Sequence, residues 1–121
     1  MAIASTKEML RKATRDGYAV GAFNVTSFVQ MKAAIEAAEL YRSPIIVQTS
    51  VTPTRFYTPG MMAGACTALA KAASVPVCLH LDHCDDPDLC RLCAQSGYTN
   101  IMFDGSAHDF EKNVGMTQMI A

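Results

Sequence analysis

A chain of 121 residues, 50% hydrophobic and 17% charged, has the composition of a soluble globular α/β protein and argues against disorder. Its net charge of -1 points to neither nucleic acid nor an anionic membrane as a partner. The longest apolar runs, such as Val75 to Leu81, are far too short to span a bilayer, and Met1 to Leu10 lacks the apolar core of a secretion signal, so the expected location is cytoplasmic.

In chain order, Ser5-Thr6-Lys7-Glu8 reads as a capping box opening a helix to about Arg15, which Asp16-Gly17 ends. Tyr18 to Val25 is short and mostly apolar, and reads as a buried strand. Ser27-Phe28-Val29-Gln30 repeats the capping box, and the helix behind it sets Phe28, Met31, Ile35 and Ala38 on one face until Ser43-Pro44 breaks it. Ile45 to Thr49 is a β-branched second strand. Ser50 to Pro59 reads as a loop because of Pro53, Pro59 and Gly60. The alanine-rich stretch Met61 to Ala73 reads as helix, and Val75 to Leu81 as the third strand. Asp86-Pro87 is an N-cap followed by proline at the first helical position, starting a helix that stops near Gly97. Thr99 to Phe103 is the fourth strand, and from Asp109 the chain reads as helical to Ala121.

Four strands thus alternate with four helices after one extra N-terminal helix, a spacing that implies a parallel sheet with crossover helices. Two architectures fit: a small doubly wound sheet, or half of a (β/α)₈ TIM barrel whose usual length is about 250 residues. The stop inside an apparent helix favours a barrel truncated to about its first four βα units. The cysteines at 66, 78, 84, 90 and 93 are odd in number and read as reduced thiols. Cys90-x-x-Cys93 lacks the second pair of a structural zinc site and the thioredoxin-like context of a redox dithiol.

In either architecture, ligands bind beyond the C-terminal ends of the strands. The first run ends in Asn24, the second in Gln48-Thr49-Ser50, the third in Asp82-His83 and the fourth in Asp104-Gly105-Ser106. Any one of these is ordinarily a cap or turn residue. Four at one rim are better explained by a site.

His80-Leu81-Asp82-His83 is the sharpest element. Alternation puts Cys78, His80 and Asp82 on one face of the strand, and Val77, Leu79 and Leu81 on the other. His83 has the wrong parity to join Asp82 while the strand lasts, so it is expected in the loop. A neutral imidazole is a common zinc ligand, and a carboxylate beside it serves as general acid/base or as a partner to the ligand. On spacing alone, a solvent-facing histidine beside an Asx turn explains the pair at least as well. His80 reads as a hydrogen-bonded interior residue.

At these residues the sequence resembles the class II aldolases, above all the tagatose- and fructose-bisphosphate aldolase group. The resemblance runs through Gly21-Ala22-Phe23-Asn24-Val25, Arg42-Ser43-Pro44-Ile45-Ile46 and Val77 to Cys84, and continues in Met102-Phe103-Asp104-Gly105-Ser106 and Phe110-Glu111-Lys112-Asn113. It implies residues 1–121 as the N-terminal half of a single barrel domain. It also implies a zinc-dependent aldehyde-lyase of carbohydrate metabolism and glycolysis. Such an enzyme cleaves a ketose 1,6-bisphosphate (fructose or tagatose) to dihydroxyacetone phosphate and glyceraldehyde 3-phosphate, and the full-length protein is a homo-oligomer. By the same resemblance Asp82 is the catalytic acid/base, His83 a ligand of the catalytic zinc, and Asp104 a ligand of a second metal position. Ser50 contacts the aldehyde-side product, and Asn24 lines the substrate site. The family's remaining zinc histidines and phosphate loops fall beyond residue 121. Two departures stand out: Ala107 follows Ser106 where members often have histidine, and Val51-Thr52-Pro53-Thr54 replaces a Ser/Gly-containing stretch.

Retro-aldol chemistry removes a hydroxyl proton and leaves charge on the ketone half, which suits a carboxylate beside a metal ligand. A Schiff-base route needs a lysine at the site. Lys7, Lys12, Lys32, Lys71 and Lys112 all read as lying on helices or helix ends. Two alternatives stand beside the aldolase: a non-catalytic fragment or accessory subunit of the same fold, and another metal-dependent barrel enzyme, such as a hydrolase using His83 and Asp104.

Overall fold

The structure, a computed structural model, describes residues 3–121; Met1 and Ala2, the head of the stretch read for a secretion signal, lie outside the described residues. The elements are α1 (Thr6–Asp16), β1 (Gly21–Asn24), α2 (Phe28–Leu40), β2 (Ile45–Ser50), α3 (Val51–Tyr57), α4 (Pro59–Ala72), β3 (Val77–Cys84), α5 (Pro87–Ser96), β4 (Asn100–Phe103) and α6 (Phe110–Ile120). All three strand pairings are parallel, and the order is β1-β2-β3-β4. A doubly wound sheet reverses its strand order at a switch point. This sheet does not reverse, and the crossover helices cover one face only, as in a barrel wall.

The two faces divide the core. Val47, Val77, Leu79 and Leu81 point outward and are buried against Met31 and Ile35 of α2, Met62 and Cys66 of α4, and Leu89, Cys90 and Cys93 of α5. Burying each of these aliphatic side chains stabilises the fold by about 1.5–3 kcal/mol. The inward face starts with an apolar layer, Ile46 and Cys78, which Met9 of α1 covers together with Ala4 and Val20. Thus α1 closes the N-terminal end of the inner face and leaves the opposite end open.

Most boundaries follow local chemistry. Ser5 and Ser27 cap α1 and α2 by accepting from the N–H groups of Glu8 and Gln30. In the second box the Gln30 side chain turns back to the N–H and hydroxyl of Thr26, one residue before the cap. Asp86 caps α5 through Asp88 and Leu89, and Gly97 ends that helix with φ 108°. The five lysines fall on α1, α2, α4 and α6.

Three expectations are corrected. The stretch expected as a loop after Ser50 is helical as α3, with Pro53 in its first turn. An N–H there has no intrahelical acceptor, so proline costs nothing. Among the described residues there is therefore one helix more than expected. The first strand, read as buried, is a four-residue sheet edge with Phe23 56% exposed. The third strand runs three residues past Leu81, so His83 lies in β3 and not in a loop.

The five cysteines are free and buried. Burial raises Cys66 and Cys93 to about 12, and Cys90 likewise, so the C-x-x-C pair is two core thiols.

Candidate active site

The parallel register aligns side chains across the inner face. Asn24, Gln48, His80 and Asn100 stand opposite one another on the four strands and form a polar row above the apolar layer. One step further toward the C-terminal rim, Ser50 stands opposite Asp82. Polar groups follow apolar ones along each strand because α1 seals only the lower end.

Asp82 is 18% exposed and is held from below: the Asn24 amide donates to its Oδ2 at 2.8 Å. The Gln48 amide donates to Asn24 Oδ1 at 3.1 Å, which fixes the Asn24 amide with its NH₂ toward the carboxylate. The sequence places Gln48 among the polar strand-end residues without giving it a role. Its signal was the two-residue spacing from Ser50 on the same strand face.

His83 reaches the site by a distortion of the strand. Its φ is 51°, in the left-handed region, and the β3–β4 register shifts between Leu81 and Cys84. Such a bulge inserts an extra residue and re-aims the side chain. It resolves the parity conflict without ending the strand. The ring is 62% exposed, with Nδ1 2.8 Å from Asp104 Oδ2 and Nε2 4.0 Å from Asp82 Oδ1. The hydrogen bond to Asp104, and then the charge of Asp82, hold the imidazole above its ordinary pKa. Ser106 and His83 hold Asp104 down to about 2.

Asp104 lies just past β4, where its N–H pairs with the Cys84 carbonyl, and Oδ1 accepts from the Ser106 N–H at 3.0 Å. A Cβ on the next residue, Gly105, would meet the Asn113 side chain and Phe103, so a larger residue there requires the Asn113 side chain to shift. Ser50 caps α3 without a side-chain capping bond, so its hydroxyl is not committed to the helix. Beneath it, Thr54 donates to the Ser50 carbonyl at 2.7 Å and bonds Thr49, whose hydroxyl meets that of buried Tyr98 at 2.9 Å.

Asn24, Asp82, His83 and Asp104 therefore meet in one contiguous polar cluster, with Ser50 beside Asp82. His108 follows Gly105 in a turn, its N–H on the Gly105 carbonyl. Among the described residues, no three His, Cys, Asp or Glu side chains are grouped as a metal site requires. The residues do fit one part of one: an imidazole with Nδ1 on a carboxylate and Nε2 open is an oriented metal ligand.

Fold and cluster together define a (β/α)₈-barrel protein whose polar site lies at the C-terminal ends of the strands. The chain belongs to the family described as fructose-bisphosphate aldolase class-II, whose sequence model matches residues 4–121. It is 37% identical to the fructose-bisphosphate aldolase of Stutzerimonas stutzeri, across 98% of this chain and 36% of that protein. It is also 37% identical to the sulfofructosephosphate aldolase of Alkalicoccus urumqiensis, across 100% of this chain and 42% of that one. Among solved structures, the YdjI aldolase of Escherichia coli K12 superposes with a TM-score of 0.88 at 28% identity, covering 98% of this chain and 46% of that one. The chain thus spans less than half the length of these relatives. No helix among the described residues is long and apolar enough to cross a membrane.

Proposed function

We propose that residues 1–121 are the N-terminal half of a single barrel domain of a zinc-dependent aldehyde-lyase, cleaving a ketose 1,6-bisphosphate by retro-aldol chemistry. The products are dihydroxyacetone phosphate and glyceraldehyde 3-phosphate. The observation that carries this reading is the Asp82 carboxylate, pinned by Asn24 at the rim and flanked by the open nitrogen of His83.

Asp82 takes the proton from the hydroxyl beside the breaking carbon–carbon bond, and returns it in the condensation direction. Asn24 keeps one carboxylate oxygen fixed, so the other is presented to substrate. His83 would be one zinc ligand, oriented through Nδ1 by Asp104, and Asp104 would hold a second metal position. Zinc bound there supplies Lewis-acid stabilisation of the charge left on the ketone half. Ser50 offers its hydroxyl to the aldehyde-side product. The expected setting is cytoplasmic carbohydrate metabolism, glycolysis for a fructose substrate, in a homo-oligomer.

A second substrate reading has a specific basis. The chain is as similar to a sulfofructosephosphate aldolase and to the 6-phospho-5-dehydro-2-deoxy-D-gluconate aldolase of Bacillus velezensis, each at 37% identity, as to the fructose-bisphosphate enzyme. The deciding experiment assays the full-length, zinc-loaded protein against fructose and tagatose 1,6-bisphosphate, sulfofructose phosphate and the deoxygluconate phosphate. Cleavage of a bisphosphate that a chelator abolishes and zinc restores supports the main reading. Cleavage of only one of the other two replaces the substrate, and no cleavage of any returns the chain to a non-catalytic role.

A further inference from the structure

His80 is left unused by the chemistry above, yet it occupies the row directly beneath Asp82. Its side chain is 13% exposed, and Nε2 lies 3.8 Å from Asp82 Oδ1. Its Nδ1 is buried without a hydrogen-bond partner. A neutral imidazole carries one N–H. Nδ1 makes no hydrogen bond although Asn100 stands opposite the ring, whereas Nε2 faces a carboxylate oxygen, which favours the hydrogen on Nε2. Asn24 already holds Oδ2 of the same carboxylate, so the two oxygens have one amide and one imidazole beneath them.

From this arrangement we infer that His80, as its Nε2–H tautomer, is a positioning residue for Asp82: it closes on Oδ1 and keeps the carboxylate oriented for proton removal. The 3.8 Å separation exceeds hydrogen-bond length, so the pairing requires the carboxylate to turn toward the ring. Burial holds the ring below its ordinary pKa, with Asn100 and Asp82 partly offsetting that effect, in keeping with a neutral ring. The inference rests on Asp82 being the base in the proposed function. It separates His80 from the zinc ligands, because its polar edge faces the acid/base and not the open nitrogen of His83.

The test uses the full-length zinc-loaded enzyme and three variants. His80→Phe keeps a ring and removes both nitrogens; His80→Gln keeps a donor near the Nε2 position; His80→Asn keeps one near Nδ1. His80→Phe is expected to lower kcat by about 10-fold to 10²-fold, the scale of a misplaced catalytic group. Its KM should stay within about twofold, because uniform binding is untouched. Zinc content should be unchanged. His80→Gln should recover most of kcat and His80→Asn little. Wild-type kcat in His80→Phe overturns the inference, as does recovery by Asn in place of Gln. If His80→Phe does not fold, the Gln and Asn pair decides by the same criterion. If the wild type cleaves no phosphorylated substrate, the functional reading fails separately. The tautomer is then read from the long-range ¹H–¹⁵N spectrum of the full chain, where Nε2–H supports the pairing with Asp82 and Nδ1–H overturns it.

Discussion

Asp82 and His83 are adjacent in sequence, yet the bulge turns them to different partners, Asp82 to Asn24 and His83 to Asp104. Replacing His83 with alanine should deplete zinc from the full-length enzyme, because a three-ligand catalytic site loses one ligand. Asp82→Ala should retain zinc and slow carbon–carbon cleavage by about 10²–10⁴-fold. Metal analysis with single-turnover cleavage on both variants checks this; near-normal turnover in Asp82→Ala would reduce the pair to a turn. Asp104 acts one step further out. A protonated imidazole cannot ligate, and Asp104 together with Asp82 raises the His83 pKa. Zinc affinity should therefore be full at high pH and fall as the pH drops through a midpoint above that of an ordinary histidine. Asp104→Asn removes the largest cause of the raised value, so the midpoint should move down. Affinity on the high-pH plateau should also weaken by about 10–100-fold as the ring loses its orienting carboxylate. Chelator competition across pH measures both effects, and an unmoved midpoint would separate Asp104 from His83.

At the scale of elements, the site depends on how strand ends turn into helices. The turn from β2 into α3 is fastened by the buried hydroxyls of Tyr98, Thr49 and Thr54, which link the start of β4 to the segment presenting Ser50. Tyr98→Phe should destabilise the fold by about 1–2 kcal/mol, because the partner hydroxyls are left buried and one bond short. Urea denaturation measures it, and an unchanged midpoint would show that the network contributes nothing. The sequence showed this region least well. Pro53, Pro59 and Gly60 carry loop signals, and the first two sit in first turns where proline fits a helix. By contrast, Ser5, Ser27 and Asp86 all cap helices where their side-chain chemistry indicated, because a cap is satisfied within three residues.

For the whole molecule, strand order leaves β1 and β4 as edges with unpaired backbone groups. Phe23 on β1 is exposed beside a groove of about 330 Å³ that Ala34, Ala37 and Ala38 of α2 line. Expressed alone, the 121-residue chain should self-associate through these edges and show no turnover. Size-exclusion chromatography with a cleavage assay tests this, and a stable, active monomer would refute it. The alternation of strand and helix, the caps, the outward apolar faces and the polar residues at four strand ends were all legible in the sequence. Each is a local or periodic property of a short segment. Strand order, the bulge at His83 and the helical state of residues 51–57 came only from the tertiary structure. So did the row of Asn24, Gln48, His80 and Asn100 beneath Asp82. Register and bulges are set by hydrogen bonds between strands far apart in the chain, and those bonds alone decide which side chains share a level of the barrel wall.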